Sequence, residues 1–162
     1  MRLLPLTEDE RQDWLRLSLS ENVGSITFQA LLQRCGSASD AIRQLPDLSR
    51  RGGSRRPLRL YPESSASRDL ERAQQIGARF VALCEPDYPP LLREIDAPPP
   101  LICIKGSSEL ARRSVGGIVG ARNASAIGRR LARQIAQAAG RAGFPVASGL
   151  ARGIDTAAHE AA

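Results

Sequence analysis

The chain has 162 residues, room for one ordinary domain or two small ones. A hydrophobic share of 42% and a charged share of 25% exclude a wholly disordered chain. No apolar run approaches the ~20 residues of a membrane-spanning helix, and the formal charge of +6 lies entirely in residues 112–162. There, eight arginines face only Asp155 and Glu160, whereas residues 1–111 balance 15 basic against 15 acidic side chains. Three cysteines (Cys35, Cys84, Cys103) without C-x-x-C spacing, and a single histidine, argue against a zinc site or a disulfide framework. A reducing, cytoplasmic setting is expected, with no cofactor and no membrane partner. Acidic Glu8, Asp9 and Glu10 follow the initial apolar stretch too soon for a signal-peptide core.

Residues 1–62 read as a helical module with a basic linker. Thr7-x-x-Glu10 is a capping-box pattern, and Trp14, Leu15 and Leu17 begin an apolar face behind it. A second helix is predicted from Ser25, with Phe28, Leu31 and Leu32 inward and Gly36 as its stop. A third, residues 39–45, is predicted to end before Pro46. The run from Val23-Gly24-Ser25 to Cys35-Gly36-Ser37 resembles the helix-hairpin-helix and SAM-like modules, although only Gly24 of the usual two hairpin glycines is present. A generic helical bundle fits those residues equally well. Arg50-Arg51-Gly52-Gly53-Ser54-Arg55-Arg56-Pro57 reads as a linker.

From residue 63 to residue 162 strands and helices alternate. A helix over residues 67–76, closed by Gly77, precedes a buried strand at residues 79–83. Further strands are predicted at 101–104, 115–119 and 145–148. Between the last two, a helix over residues 124–142 carries Ile127, Leu131, Ile135 and Ala139 four apart on one face. Strand, amphipathic helix and strand with short connections make a parallel βαβ unit. The expected fold is α/β: a small all-helical unit followed by a partial, Rossmann-like, doubly wound parallel sheet. A last helix beginning near Asp155 with no strand after it suggests a fragment.

Two glycine-bearing turns sit at the carboxyl ends of the last two strands: Gly116-Gly117-Ile118-Val119-Gly120-Ala121-Arg122-Asn123-Ala124-Ser125-Ala126-Ile127-Gly128, and Ser148-Gly149-Leu150-Ala151-Arg152-Gly153-Ile154-Asp155-Thr156. At such places free backbone N–H groups and a helix dipole point outward and suit a phosphate. Gly120, Gly149 and Gly153 are expected to bring an anion close to the backbone, Ser125 and Ser148 to donate hydroxyls, and Arg122 to bind phosphate oxygens in a bidentate way. If the two strands are neighbours, the turns form one cleft. Neither turn is a dinucleotide fingerprint or a Walker loop, and the acid-free surroundings favour a polyanion. Asp155 is expected as the N-cap of the last helix, and His159 as a packing or hydrogen-bonding residue. Trp14, Tyr61 and Tyr88 are too scattered to form a base-stacking platform.

The motif Gly120-Ala121-Arg122 … Ser125-Ala126-Ile127-Gly128, followed by Ser148-Gly149-Leu150-Ala151-Arg152-Gly153-Ile154-Asp155-Thr156-Ala157-Ala158-His159-Glu160, closely resembles the DNA-processing protein A family (DprA, also called Smf). Asp87-Tyr88-Pro89, Leu92, Ile95-Asp96, Pro98, Leu101 and Gly106 resemble the same family, so the likeness covers residues 80–162. It implies a non-enzymatic protein that binds single-stranded DNA and delivers it to the RecA recombinase in natural transformation, usually as a homodimer. The DNA phosphate-binding set is then Gly120, Arg122, Asn123, Ser125 and Gly128 from the first turn. Ser148, Gly149, Leu150, Ala151, Arg152 and Gly153 complete it from the second. Family members often carry Ser at position 121 and an aromatic at 127, where this chain has Ala121 and Ile127, and their domain continues well past Ala162. Two alternatives stand beside this reading. One is a nucleotide-binding, phosphoribohydrolase-like enzyme of a related Rossmann-like family. In the other, the helical module binds protein and only the second half binds DNA.

Overall fold

The computed structural model describes residues 4–51 and 59–162. Residues 52–58 of the basic linker lie outside the described residues. The chain forms two compact units, Met1–Ser108 and Glu109–Ala162.

In the first unit, Thr7 caps α1 (Glu8–Ser18): its hydroxyl accepts from the Glu10 N–H, and the Glu10 carboxylate returns to the Thr7 N–H. Helix α2 (Ser25–Cys35) ends at Gly36, whose φ of 86° is a left-handed conformation that favours glycine. Helix α3 (Ala38–Arg51) does not stop before Pro46; it runs through it. The reason is tertiary. Ala41, Ile42 and Leu45 before the proline are buried, and Leu48 after it packs on the same cluster. Burial on both sides of Pro46 offsets the lost helical hydrogen bond. Leu17, Val23, Phe28 and Leu31 complete that core, with the Trp14 and Phe28 rings tilted at 4.9 Å between centroids.

Helix α4 (Glu63–Gln75) starts a turn earlier than predicted and leads through Gly77 into β1 (Ala78–Ala82). The short α5 (Pro90–Arg93), not foreseen in the sequence, lies between β1 and β2 (Leu101–Lys105). β1 and β2 pair antiparallel, Phe80 opposite Cys103, rather than joining one parallel sheet. Their connection, residues 83–100, carries only the one-turn α5 and a proline-rich stretch, too little for a parallel crossover.

The helical part and this hairpin are locked together. Arg11 grips Glu85 with both terminal nitrogens at 2.7 and 2.9 Å, and the Ala82 and Leu6 N–H groups donate to the same carboxylate. The compact unit runs on to Ser108, and this ion pair ties α1 to the segment that follows β1. Tyr88 is fully buried, its hydroxyl donating to the Pro99 carbonyl.

The second unit is the predicted βαβ. β3 (Gly116–Gly117) lies parallel to β4 (Val146–Ala147), with α6 (Ala126–Arg141) between them in sequence and α7 (Ile154–His159) after them. Helix α6 departs from expectation in which face it buries. Ala132 and Ala136 are buried, while Ile127, Leu131 and Ile135 are 81%, 53% and 51% exposed. Helix α7 packs on α6, and the bulky stripe is left exposed.

Candidate nucleic-acid interface

Because β3 and β4 are parallel neighbours, both glycine turns leave the same edge of the pair. They are also fastened to each other. The Ile154 N–H donates to the Ala121 carbonyl at 3.3 Å, and the Ser148 hydroxyl donates to the Ile118 carbonyl at 2.7 Å. The glycines serve that union. A Cβ on Gly153, whose φ is 91°, would lie 2.3 Å from the Ala121 oxygen; one on Gly120 would lie 2.5 Å from the Ile154 side chain. At Gly149 the same position is taken by Asp155 Oδ2 at 2.6 Å. At these three glycines the place of a Cβ is therefore taken by neighbouring atoms of the protein, which is why the joined turns need glycine there.

The other site residues divide into those already engaged and those still open. Ser125 is the N-cap of α6, its oxygen accepting from the Gly128 N–H at 3.1 Å, which commits the Gly128 N–H but not the Ser125 hydroxyl proton. Ser148 gives its hydroxyl proton to Ile118 and has none left for a phosphate. Arg122, Asn123 and Arg152 are exposed, and none has a hydrogen-bond or ion-pair partner among the described residues. Leu150, at the tip of the second turn, is 97% exposed, and Ala151 beneath it accepts from the Thr156 hydroxyl at 2.8 Å.

Asp155 takes a role that spacing did not reveal, and His159 is the hydrogen-bonding residue expected, with partners that spacing did not name. Asp155 is not the N-cap of α7; Gly153 holds that place, and Asp155 lies inside the first turn, 6% exposed. Its Oδ1 is buried without a hydrogen-bond partner among the described residues, because the side chain turns inward under Gly149 instead of back toward the helix start. His159 reaches the second turn from the end of α7, with Nε2 3.1 Å from the Gly149 carbonyl oxygen and 3.3 Å from that of Ser148. Neither contact follows a short local pattern.

Positive charge is spread over the second unit, with Arg122 and Arg152 in the two turns. Arg133 is paired with Glu160 at 2.6 Å and Arg112 with Glu109 at 3.3 Å. Among the described residues Arg113 and Arg129 donate only to backbone carbonyls, and Arg122, Arg130, Arg141 and Arg152 have no side-chain partner. Four unpaired guanidinium groups on one small unit make a field that suits a polyanion. No cluster of three or more His, Cys, Asp and Glu that could hold a metal comes together among the described residues.

A family profile described as DNA recombination-mediator protein A matches residues 79–162, the part of the chain that contains both turns. The chain belongs to the DNA recombination-mediator protein A family. A second profile, the DprA-like N-terminal HHH domain, matches residues 8–79 and covers α1 to α4 of the first unit. Protein Smf of Synechocystis is 44% identical over 95 residues, which cover 56% of this chain and 24% of that protein. The DNA processing protein DprA of Bacillus subtilis is 32% identical over 102 residues, 62% of this chain and 34% of that one. The chain thus spans about a quarter to a third of the curated relatives it matches. The X-ray structure of DNA processing protein A (DprA) from Streptococcus pneumoniae shares the fold, with a TM-score of 0.61 at 23% identity. That likeness covers 98% of this chain and 54% of that one. Among the described residues, no helix of this family member is long and apolar enough to cross a membrane.

Proposed function

We propose that this chain binds single-stranded DNA by its phosphates, without reading the bases, at the joined turns of the second unit. The observation that carries this reading is the meeting of the two turns at one edge of the β3–β4 pair, with Arg122 and Arg152 exposed and unpaired beside them. Phosphate contacts position a strand and carry no sequence information. The core of the site is narrower than the sequence suggested: Arg122, Asn123 and Arg152, with the backbone N–H groups of residues 149–152, since Ser148 and the Gly128 N–H are spent internally.

The role is binding rather than catalysis. The one carboxylate within the turns, Asp155, is buried and closed to a substrate. Family membership supports delivery of the strand to the RecA recombinase by a homodimer, in a reducing cytoplasm that suits three free cysteines. Titration with unrelated labelled single strands of equal length, and separately with nucleoside monophosphates, tests the reading. Similar affinities for all strands, falling steeply with salt, are expected. Tight binding of a monophosphate with weak binding of every strand would instead favour the phosphoribohydrolase-like alternative. Co-precipitation of the strand-bound protein with RecA tests the hand-over.

A further inference from the structure

We propose that His159 is a positioning residue for the 148–150 turn: one imidazole N–H draws two successive carbonyls inward and so presents the Gly149 and Leu150 N–H groups outward as a paired donor for one phosphate. The inference rests on the reading of this turn as a phosphate site, and deepens it.

The geometry starts from the two carbonyl oxygens. Nε2 of His159 stands 3.1 Å from the Gly149 oxygen and 3.3 Å from the Ser148 oxygen. Carbonyls only accept, so Nε2 must carry the proton and share it between them. No peptide bond described in the chain is cis. In a planar trans peptide the C=O and N–H vectors are opposed. The Ser148 carbonyl shares its plane with the Gly149 N–H, and the Gly149 carbonyl shares its plane with the Leu150 N–H. Turning both oxygens toward α7 therefore turns both hydrogens away from it. Neither N–H has a partner among the described residues, and Leu150, the residue beside them, is 97% exposed. Successive N–H groups aimed to one side form an anion-binding concavity.

Thr156 and Asp155 hold the rest of the turn, so that His159 acts on these two planes. The Thr156 hydroxyl and N–H both donate to the Ala151 carbonyl, and Asp155 fills the space under Gly149. Without the imidazole, the 148–149 and 149–150 peptides are free to rotate, and the donor pair is lost without loss of the fold.

Because His159 is the only histidine of the chain, its ring can be observed without assignment ambiguity. A long-range ¹H–¹⁵N spectrum of the intact protein, at a pH where the ring is neutral, is expected to show Nε2 protonated and Nδ1 bare. The opposite tautomer would overturn the proposal, since a bare Nε2 repels both carbonyls. His159→Leu is expected to weaken single-stranded oligonucleotide binding about fivefold. His159→Gln, whose amide nitrogen reaches the place of Nε2, is expected to restore most of that affinity. Equal binding by wild type and His159→Leu would overturn the role. So would a loss that Gln does not restore while Tm is unchanged. If the wild-type chain binds no strand at all, the phosphate reading itself falls, and the tautomer still decides whether His159 holds the turn.

Discussion

At the scale of single residues, Gly153 bears the tightest constraint in the second unit. Its φ of 91° lies where side chains are strained, and a Cβ would press on the Ala121 and Arg122 carbonyls. Gly153→Ala is expected to cost at least about 2 kcal/mol and to separate the turns. Thermal unfolding of the variant measures this; an unchanged Tm would mean that the turns are not packed as described. Ser148→Ala makes a contrasting case. It removes a bond to the Ile118 carbonyl, so stability should fall by about 1 kcal/mol while the salt dependence of DNA binding stays as it was. A change in salt dependence would return Ser148 to the list of phosphate contacts. Glu85 supplies a pH-dependent term. Burial pushes its carboxyl up, but the bonds from Arg11 and from the Ala82 and Leu6 N–H groups outweigh burial and hold it below the ordinary 4.5. Its contribution is therefore present above that value and is lost as pH falls through the lower, folded one. Urea unfolding followed from neutral to acid pH should show stability falling in this range, and Glu85→Gln should flatten that fall. A slope identical in the variant would contradict the assignment.

At the scale of elements, what could be read in advance was what local chemistry decides. The Thr7 cap, the Gly36 stop and the parallel β3–α6–β4 unit each depend on residues a few positions apart, and each was legible. Thr7→Ala should accordingly cost about 1 kcal/mol through the lost cap, read by chemical unfolding; no loss would leave the capping box without energetic weight. What escaped the sequence depends on distant partners. Pro46 stays helical because Leu48 finds the core; the β1–β2 hairpin is antiparallel because its connection lacks a crossover helix; the Ile127–Leu131–Ile135 stripe is exposed while Ala132 and Ala136 are buried. The site divides in the same way. The turns and Arg122 were legible as glycine and charge patterns. That the glycines make room for Ile154, Asp155 and the Ala121–Arg122 backbone required the packing of one turn on the other.

At the scale of the molecule, charge and fold divide the labour. The first unit is held by its aromatic-aliphatic core and the Arg11–Glu85 lock, and residues 1–111 are electrically balanced. The surplus of positive charge resides in residues 112–162, and so does the parallel strand pair from which both turns emerge. A general attraction to that surface and a defined phosphate site make different demands on individual arginines. Arg122 lies in the first turn before α6, whereas Arg141 ends that helix about 25 Å away at ~1.5 Å per residue. Both are exposed, and neither has a carboxylate partner among the described residues. The decisive measurement is the affinity of wild type, Arg122→Ala and Arg141→Ala for one labelled single strand across a range of salt concentrations. A defined site predicts that Arg122→Ala weakens binding and lowers the salt dependence by roughly one counterion, with a much smaller effect of Arg141→Ala. Equal losses in the two variants would leave only attraction to a basic surface and contradict a phosphate site at the joined turns.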